Sequence, residues 1–311
     1  MRKVLITDGV HDILPASLEE MGYEVHYDQS IPRTQVLEII QDYEGIIVNS
    51  RMFMDVDMMD RAVQLKFIGR LGSGLDIIDL PYAEKKGIAV INSPEGNCHS
   101  VAEHTMGMIL TLLNNICRSN SEVRQKKWNR EANRGTELRF KTIGIIGFGN
   151  TGEALARKLA GWEVQVLSND KYRTDLPQDM DYVKFTDFES VIQGSDIICL
   201  HVPLTNETKW LLEKSVLNQC KDGAILVNVS RGGVVKTADL IEALENGKLS
   251  GACLDVFENE KVSSWSNEEH RMYERLYERE NVILSPHVAG WTHESKKMLA
   301  KVLVDKISQV F

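Results

Sequence analysis

Positive charge is in short supply in this sequence: 36 Lys and Arg stand against 45 Asp and Glu, for a formal net charge of −9. A nucleic-acid groove or an anionic membrane surface needs clustered excess cations, so the balance argues against both as partners. Cysteines are few and odd in number. Cys98, Cys117, Cys199, Cys220 and Cys253 are widely spaced and sit mostly in apolar runs, so they read as reduced core thiols, which suits the cytosol. No long apolar run is present: the most hydrophobic helix candidate, TMGMILTLLNNIC, is too short and too polar to span a bilayer. The opening MRKVLITDGVHD meets acids too soon for a secretory signal. No targeting segment, internal repeat or low-complexity tract is evident, and a soluble, cytoplasmic protein with a small-molecule partner is expected.

What is abundant is hydrophobic residue in a regular rhythm. A chain of 311 residues with 43% hydrophobic content can fill two cores, so two domains are expected. To about residue 97, short apolar runs (KVLITD, GIIVNS, KFIGRLGSG, IAVINS) alternate with amphipathic stretches (LPASLEEMG, VDMMDRAVQ, DLPYAEKKG), which predicts a small parallel sheet with helices on both faces. A long helix and then a polar, irregular arm should follow over about 100–140. The rhythm then resumes through IGIIGFG, EVQVLSN, DIICLHV, AILVNVS, GACLDV and NVILSPH, predicting a second, larger parallel sheet. A closing helix is expected in THESKKMLAKVLVDKISQVF. The methionines of RMFMDVDMMD read as core filling, and the charged run from Glu268 to Glu280 as a solvated helix face.

The strongest local signal is TIGIIGFGNTGEALARKLAGWEVQVLSND. A buried strand leads into Gly147, Gly149 and Gly152 in the G-x-G-x-x-G pattern, then a helix, a second strand and Asp170. The first glycine permits a tight turn, the second lets backbone approach a pyrophosphate, and the third lets the helix pack closely on the strand. The phosphates would then rest on N–H groups at the positive end of the helix dipole. Asp170, about 20 residues further on, is placed to accept hydrogen bonds from the adenosine ribose. A carboxylate there repels a 2′-phosphate, so NAD is favoured over NADP, although Lys171 and Arg173 lie nearby.

In open parallel sheets, ligands bind beyond the carboxyl ends of the strands. Those ends carry HVPLT (201–205), NVSRGG (228–233), DVFENE (255–260) and SPHVAGWT (285–292). Hydride transfer to a 2-oxo acid needs a cation for the substrate carboxylate and carbonyl, a proton donor for the developing alkoxide, and a group that tunes the donor. Arg231 can supply the cation through its planar fork. His287 can supply the proton, because imidazole titrates near neutral pH. A carboxylate beside it would favour the charged ring and fix its tautomer. Asp255, Glu258 and Glu260 are available for that. Of the other histidines, His99, His104, His201, His270 and His293 read as structural or exposed, and no pair of them has convincing metal-ligand spacing with a third ligand.

Taken together, GRLGSGLDIIDL, GIAVINSPEGNCHSVAEHTMGMIL, the glycine motif, HVPLTNET, LVNVSRGGVV, GACLDVFENE and NVILSPHVAG resemble the D-isomer-specific 2-hydroxyacid dehydrogenases, a family that includes phosphoglycerate dehydrogenase and the glyoxylate and hydroxypyruvate reductases. The resemblance covers nearly the whole chain. It implies Arg231 as the substrate-binding arginine, His287 as the acid/base and Glu260 as its carboxylate partner, with Asp255 near the nicotinamide carboxamide. It places Asn150, Thr151, Asp170, Thr208, Val229, Ser230 and Gly290 at cofactor positions and Ser73 in the glycine-rich loop of the first domain. Asn49, Ser50 and Arg51 occupy the substrate-recognition loop, with Ser73 and Gly74 facing it. Glu258 is left without a partner and reads as solvated.

The fold implied is α/β with two doubly wound parallel-sheet domains. A Rossmann NAD-binding domain (99–290) is inserted into a flavodoxin-like substrate domain (1–98 and 291–311), with hinges near 97–100 and 288–292. The helix and arm over 100–140 would serve a homodimer. No metal is expected, and no regulatory domain is read beyond the closing helix. The sequence departs from the family in three places. NSR stands where many phosphoglycerate dehydrogenases have Arg-Ser, Lys261 stands where proline is usual, and the stretch from there to His287 is long and charged. The leading expectation is an NAD-dependent dehydrogenase with 3-phosphoglycerate as the first candidate substrate. Glyoxylate or hydroxypyruvate reduction is the near alternative, and an NAD(H)-sensing, corepressor-like binding protein is the alternative from another class.

Overall fold

The computed structural model describes residues 2–173 and 175–311. In chain order the first elements are β1 (Arg2–Ile6), α1 (Ile13–Glu20), β2 (Tyr23–Tyr27), α2 (Arg33–Ile39), β3 (Gly45–Val48), α3 (Val56–Arg61), β4 (Phe67–Arg70), α4 (Leu80–Lys85) and β5 (Ala89–Asn92). Then come α5 (Cys98–Leu113), α6 (Ile116–Arg124), β6 (Thr142–Ile146), α7 (Asn150–Leu159), β7 (Gln165–Asn169), β8 (Val183–Phe185), α8 (Phe188–Gly194) and β9 (Ile197–Leu200). The last are α9 (Lys214–Leu217), β10 (Ala224–Asn228), α10 (Thr237–Glu245), β11 (Leu249–Leu254), α11 (Asn267–Tyr277), β12 (Val282–Leu284) and α12 (His293–Val310). The chain divides into two compact units, Met1–Cys98 with Trp291–Phe311, and His99–Gly290.

The first unit is a five-stranded, all-parallel sheet in the order β2-β1-β3-β4-β5, the flavodoxin-like arrangement. Of its inner strands, β3 is buried along its whole length, and β1 and β4 each bury a run of three residues, as strands covered on both faces must. One face carries the methionine-rich stretch, with Met52, Met54, Met58 and Met59 all buried. Asp55 caps α3 there by accepting from Met58 N at 3.0 Å. The other face is closed by α12, which buries Leu299, Ala300, Leu303 and Ile307 against Val4, Ile6, Leu14 and Phe67. Elements β2 and α2 were not picked out in the sequence. β2 is an edge strand that buries one residue fully, so it lacks the apolar run that marks its neighbours.

The second unit is a seven-stranded, all-parallel sheet ordered β12-β11-β10-β9-β6-β7-β8, the dinucleotide-fold order with an extra strand. β9 and β10 are buried along their whole length. β8 escaped the sequence reading for the same reason as β2, being three residues long at an edge. The long helix expected after residue 100 is two helices, α5 and α6, separated at Asn114 and Asn115, where Asn115 takes a left-handed backbone (φ 51°). Asparagine tolerates that conformation better than most residues. Four of the five cysteines are buried and Cys117 is exposed. Among the described residues no helix is long and apolar enough to cross a membrane.

Candidate active site

The ends of five adjacent parallel strands are in register: Ile146 pairs with Leu200, Leu200 with Asn228, Asn228 with Leu254 and Leu254 with Leu284. Whatever follows each strand therefore emerges on one edge of the sheet. Between β6 and β9 the strand order reverses, the place where such sheets open a crevice. The glycine loop follows β6, HVPLT follows β9, Arg231 follows β10, the acids follow β11 and His287 follows β12.

The glycine loop fits a dinucleotide. Gly147 has φ 93°, and a Cβ on Gly152 would overlap the carbonyl oxygen of Gly147, so α7 lies directly on the turn. Gly149, with no side chain to cap α7, leaves its first N–H groups to a ligand, and nothing lies within 4 Å of where its Cβ would stand. Asp170 is tied to this loop. Its Oδ2 accepts from Phe148 N at 2.6 Å, and its Oδ1 from Tyr172 N and Arg173 N at 2.8 and 2.9 Å. A carboxylate has about four acceptor positions, so one remains for a ribose hydroxyl. Both neighbouring cations are matched by acids: Lys171 by Glu207 at 2.7 Å and Arg173 by Glu153 at 2.6 Å.

The loop after β9 opens with His201, whose burial pushes its pKa down to about 4 and keeps it neutral. Thr208 Oγ1 donates to Pro203 O at 2.6 Å and accepts from Thr205 N at 2.8 Å, so its hydroxyl shapes this loop. Beyond β10, the buried Asn228 sets the turn. Its Oδ1 accepts from Ser230 N at 3.1 Å and Oγ at 2.9 Å, and its Nδ2 donates to Arg231 O at 2.9 Å. Val229 is buried beside it, and Arg231 Nη1 donates to Ser230 O at 2.7 Å. A Cβ on Gly232 would run into the Phe257 backbone, so glycine is what lets the Arg231 turn touch the acid loop.

The three acids of that loop separate by partner. Asp255 is fully buried; its Oδ1 accepts from Ser285 Oγ at 2.6 Å and Val288 N at 2.9 Å, and its Oδ2 from Ala289 N at 2.8 Å. His104 Nε2 lies 2.9 Å from Ser285 Oγ behind them. The carboxylate expected near the nicotinamide is thus spent on the loop that carries His287 and ends at Gly290. Glu258 is exposed, as expected, but has partners: it accepts from Trp210 Nε1 at 2.6 Å and from Thr237 N at 2.7 Å, the first residue of α10. Its reach to two groups distant in sequence could not be read from spacing.

Glu260 Oε2 lies 2.9 Å from His287 Nδ1. An ionised carboxylate only accepts, so Nδ1 carries the proton and Nε2 is the other edge of the ring. Burial pushes the Glu260 pKa up, but the hydrogen bond and charge of His287, then the Phe257 N–H and the charge of Arg231, outweigh it and hold the carboxyl below its ordinary value. The His287 side chain is 45% exposed, which leaves Nε2 open to a reactant. Its backbone is left-handed (φ 57°), held by its own N–H on Asp255 O at 2.7 Å. Asn228 and Ser285 are the site-building residues that the sequence reading passed over; each is a polar residue bounding a buried strand run. Among the described residues no group of three His, Cys, Asp or Glu side chains could hold a metal ion.

In the first unit, Asn49 follows β3 and its N–H donates to Asp8 Oδ2 at 3.0 Å, while Ser50 is exposed. Arg51 is folded back onto main-chain carbonyls, those of Gln29, Thr7 (3.1 Å) and Ile31 (3.4 Å). In this arrangement the guanidinium braces neighbouring loops. Ser73 Oγ donates to Asn97 Oδ1 at 3.2 Å and its carbonyl accepts from Asn92, with Gly74 beside it half-buried.

Residues 106–289 match the family model described as D-isomer specific 2-hydroxyacid dehydrogenase, NAD binding domain. A D-3-phosphoglycerate dehydrogenase of Archaeoglobus fulgidus is 34% identical over 305 residues, 98% of this chain and 56% of that protein. The chain thus spans about half the length of the curated phosphoglycerate dehydrogenases it matches. A hydroxypyruvate reductase of Thermotoga maritima is 34% identical over 281 residues, 90% of this chain and 88% of that protein. Among solved structures, a D-lactate dehydrogenase of Aquifex aeolicus complexed with NAD and lactic acid superposes with a TM-score of 0.85 at 28% identity, covering 99% of this chain and 95% of that one.

Proposed function

From the premise that the chain belongs to the D-isomer specific 2-hydroxyacid dehydrogenase family, we propose that it is an NAD-dependent enzyme interconverting a D-2-hydroxy acid and its 2-oxo acid. The observation that carries this is the 2.9 Å pairing of His287 with Glu260 at the edge of the sheet where Arg231 also emerges. Bound NADH supplies the hydride. His287 Nε2 gives a proton to the oxygen that forms at C2, and takes it back in the oxidative direction. Glu260 holds Nδ1–H and stabilises the imidazolium. Arg231 grips the substrate carboxylate bidentately.

The cofactor would lie along Gly147, Gly149, Asn150, Thr151 and Gly152, with Asp170 on the ribose and Thr208, Val229, Ser230 and Gly290 alongside. Asp255 then acts on the His287 loop, and a contact of its own with the cofactor is secondary to that. Asn49, Ser50, Arg51, Ser73 and Gly74 are the candidates for substrate recognition in the first unit. The matched cations at Lys171 and Arg173 support NAD over NADP, because a 2′-phosphate would meet Asp170 without a spare positive charge. The exposed Ile116, Val123, Trp128 and Phe140 support a homodimer through the segment that follows α5, which sedimentation would test. A cytoplasmic location is consistent with five widely spaced, mostly buried cysteines.

The first substrate to test is 3-phosphoglycerate with its 2-oxo partner. Hydroxypyruvate is the second reading, favoured by the engaged guanidinium of Arg51 and by a relative of nearly the same length. Following NADH absorbance with phosphohydroxypyruvate, hydroxypyruvate, glyoxylate and pyruvate ranks them by kcat/KM. If no acid is turned over faster than by a His287→Ala control, the dehydrogenase reading is wrong.

A further inference from the structure

Glu260 reaches His287 from an exposed loop, with a long side chain that makes one further hydrogen bond, from Phe257 N at 3.4 Å. Something other than packing has to hold it on target. The residue before it is bound at every polar group. Asn259 N donates to Tyr273 OH at 3.0 Å, and Asn259 O accepts from Trp265 Nε1 at 3.0 Å. Asn259 Nδ2 donates to Glu269 Oε1 at 2.9 Å and Ser264 Oγ at 3.3 Å, while its Oδ1 accepts from Lys261 N at 3.0 Å.

The partners are themselves fixed. Tyr273 is buried on α11 and stacks on Trp265 with ring centroids 4.4 Å apart. Glu269 forms the capping box of α11 with Ser266, accepting from Ser266 N at 2.7 Å with its other oxygen. The bond to Lys261 N needs an N–H, which proline at that position would lack. The charged stretch after Glu260 is therefore more than a solvated face: its inner side clasps Asn259.

Resting on the dehydrogenase reading, we propose that Asn259, clasped by Trp265, Glu269 and Tyr273, is a positioning residue that aims Glu260 at His287. It contacts no reactant and acts through the backbone it shares with Glu260. A role confined to docking α11 would leave the proton-transfer pair indifferent to it.

The test is a double-mutant cycle on wild type, Asn259→Ala, Glu260→Gln and the double variant, reading kcat and the pH profile for reduction of the best 2-oxo acid. Asn259→Ala should lower kcat about tenfold, displace the high-pH limb toward acid and leave KM for NADH within about twofold. In the Glu260→Gln background it should change kcat by less than about twofold, because the two act as a unit. Fully additive losses, or an unmoved limb in a folded Asn259→Ala protein, overturn the proposal. Should that variant fail to fold, Tyr273→Phe and Trp265→Phe each delete one bond to Asn259, and an unmoved limb in both overturns it equally. Proton NMR titration of the His287 ring separates this inference from the activity it rests on. A midpoint displaced toward acid by Asn259→Ala, in a protein that turns over no 2-oxo acid, refutes the activity and upholds the positioning. An active protein with an unmoved midpoint does the reverse.

Discussion

Removing the Asp255 carboxylate should loosen the His287 loop and the second unit together. In Asp255→Ala, the N–H groups of Val288 and Ala289 and the hydroxyl of Ser285 lose an acceptor that sits in a fully buried position. A hydrogen bond to a charged group contributes about 1.5–3 kcal/mol, and an orphaned buried donor costs about 1–3 kcal/mol. Three such bonds sum to roughly 4–9 kcal/mol, from which the cost of holding the buried charge itself is subtracted. Residue 287 adds a second effect, because its left-handed backbone stores about 1–2 kcal/mol that is released once the loop is free to relax. A net loss of about 3–5 kcal/mol follows, and for a unit of this size each kcal/mol lowers Tm by about 2–4 °C. The melting temperature of the second unit, followed by scanning calorimetry, should therefore fall by roughly 6–20 °C. Asp255→Asn keeps one carbonyl acceptor and should fall about half as far. An alanine variant melting within about 2 °C of wild type would refute the view that this carboxylate holds the loop.

Three further outcomes are expected. Gly152→Ala places a methyl group on the Gly147 carbonyl and should abolish measurable NADH binding by calorimetric titration, while Gly149→Ala, in open space, should keep the fold. Asp170→Ala should weaken NAD binding about tenfold and narrow the preference against NADP; an unmodified protein that prefers NADP would contradict the assignment. Asp196 is driven up by burial but driven down further by the Thr142 N–H and Lys221, so its carboxyl titrates below its ordinary value. Its contribution is present above the unfolded value near pH 4 and vanishes as pH falls through the folded one. Asp196→Asn should cost about 1 kcal/mol in urea unfolding at pH 7 and progressively less as pH falls below the ordinary carboxylate range.

Much of this was legible in the sequence because parallel sheets are simple. Central strands carry apolar runs, and the residues that follow them are gathered by register onto one edge, so Arg231 and His287 could be named from position, whereas Glu260 was singled out from its two neighbouring acids only by the family resemblance. Elements without that signature escaped: β2 and β8 are edge strands with little to bury, and the break between α5 and α6 falls on two asparagines that a helical periodicity passes over. Side-chain partners were less readable still. Asp255, Glu258 and Glu260 share one short loop, and nothing in their spacing says that the first turns inward to backbone, the second bridges Trp210 and Thr237, and the third alone reaches His287. Arg51 has the charge for a phosphate, and nothing in its spacing says that folding brings three main-chain carbonyls to its fork.

The return of α12 to the first sheet has a consequence for how the chain is made. A ribosome at ~5–20 residues per second needs ~10–40 s to add the second unit after β5 has emerged. Throughout that time the face of the first sheet bearing Val4, Ile6 and Phe67 lacks Leu299, Leu303 and Ile307, which arrive with the last helix. The second unit is continuous in sequence and can complete itself first. The first unit, begun before the second, is finished after it, and its open apolar face is where the nascent chain is exposed to aggregation in the interval.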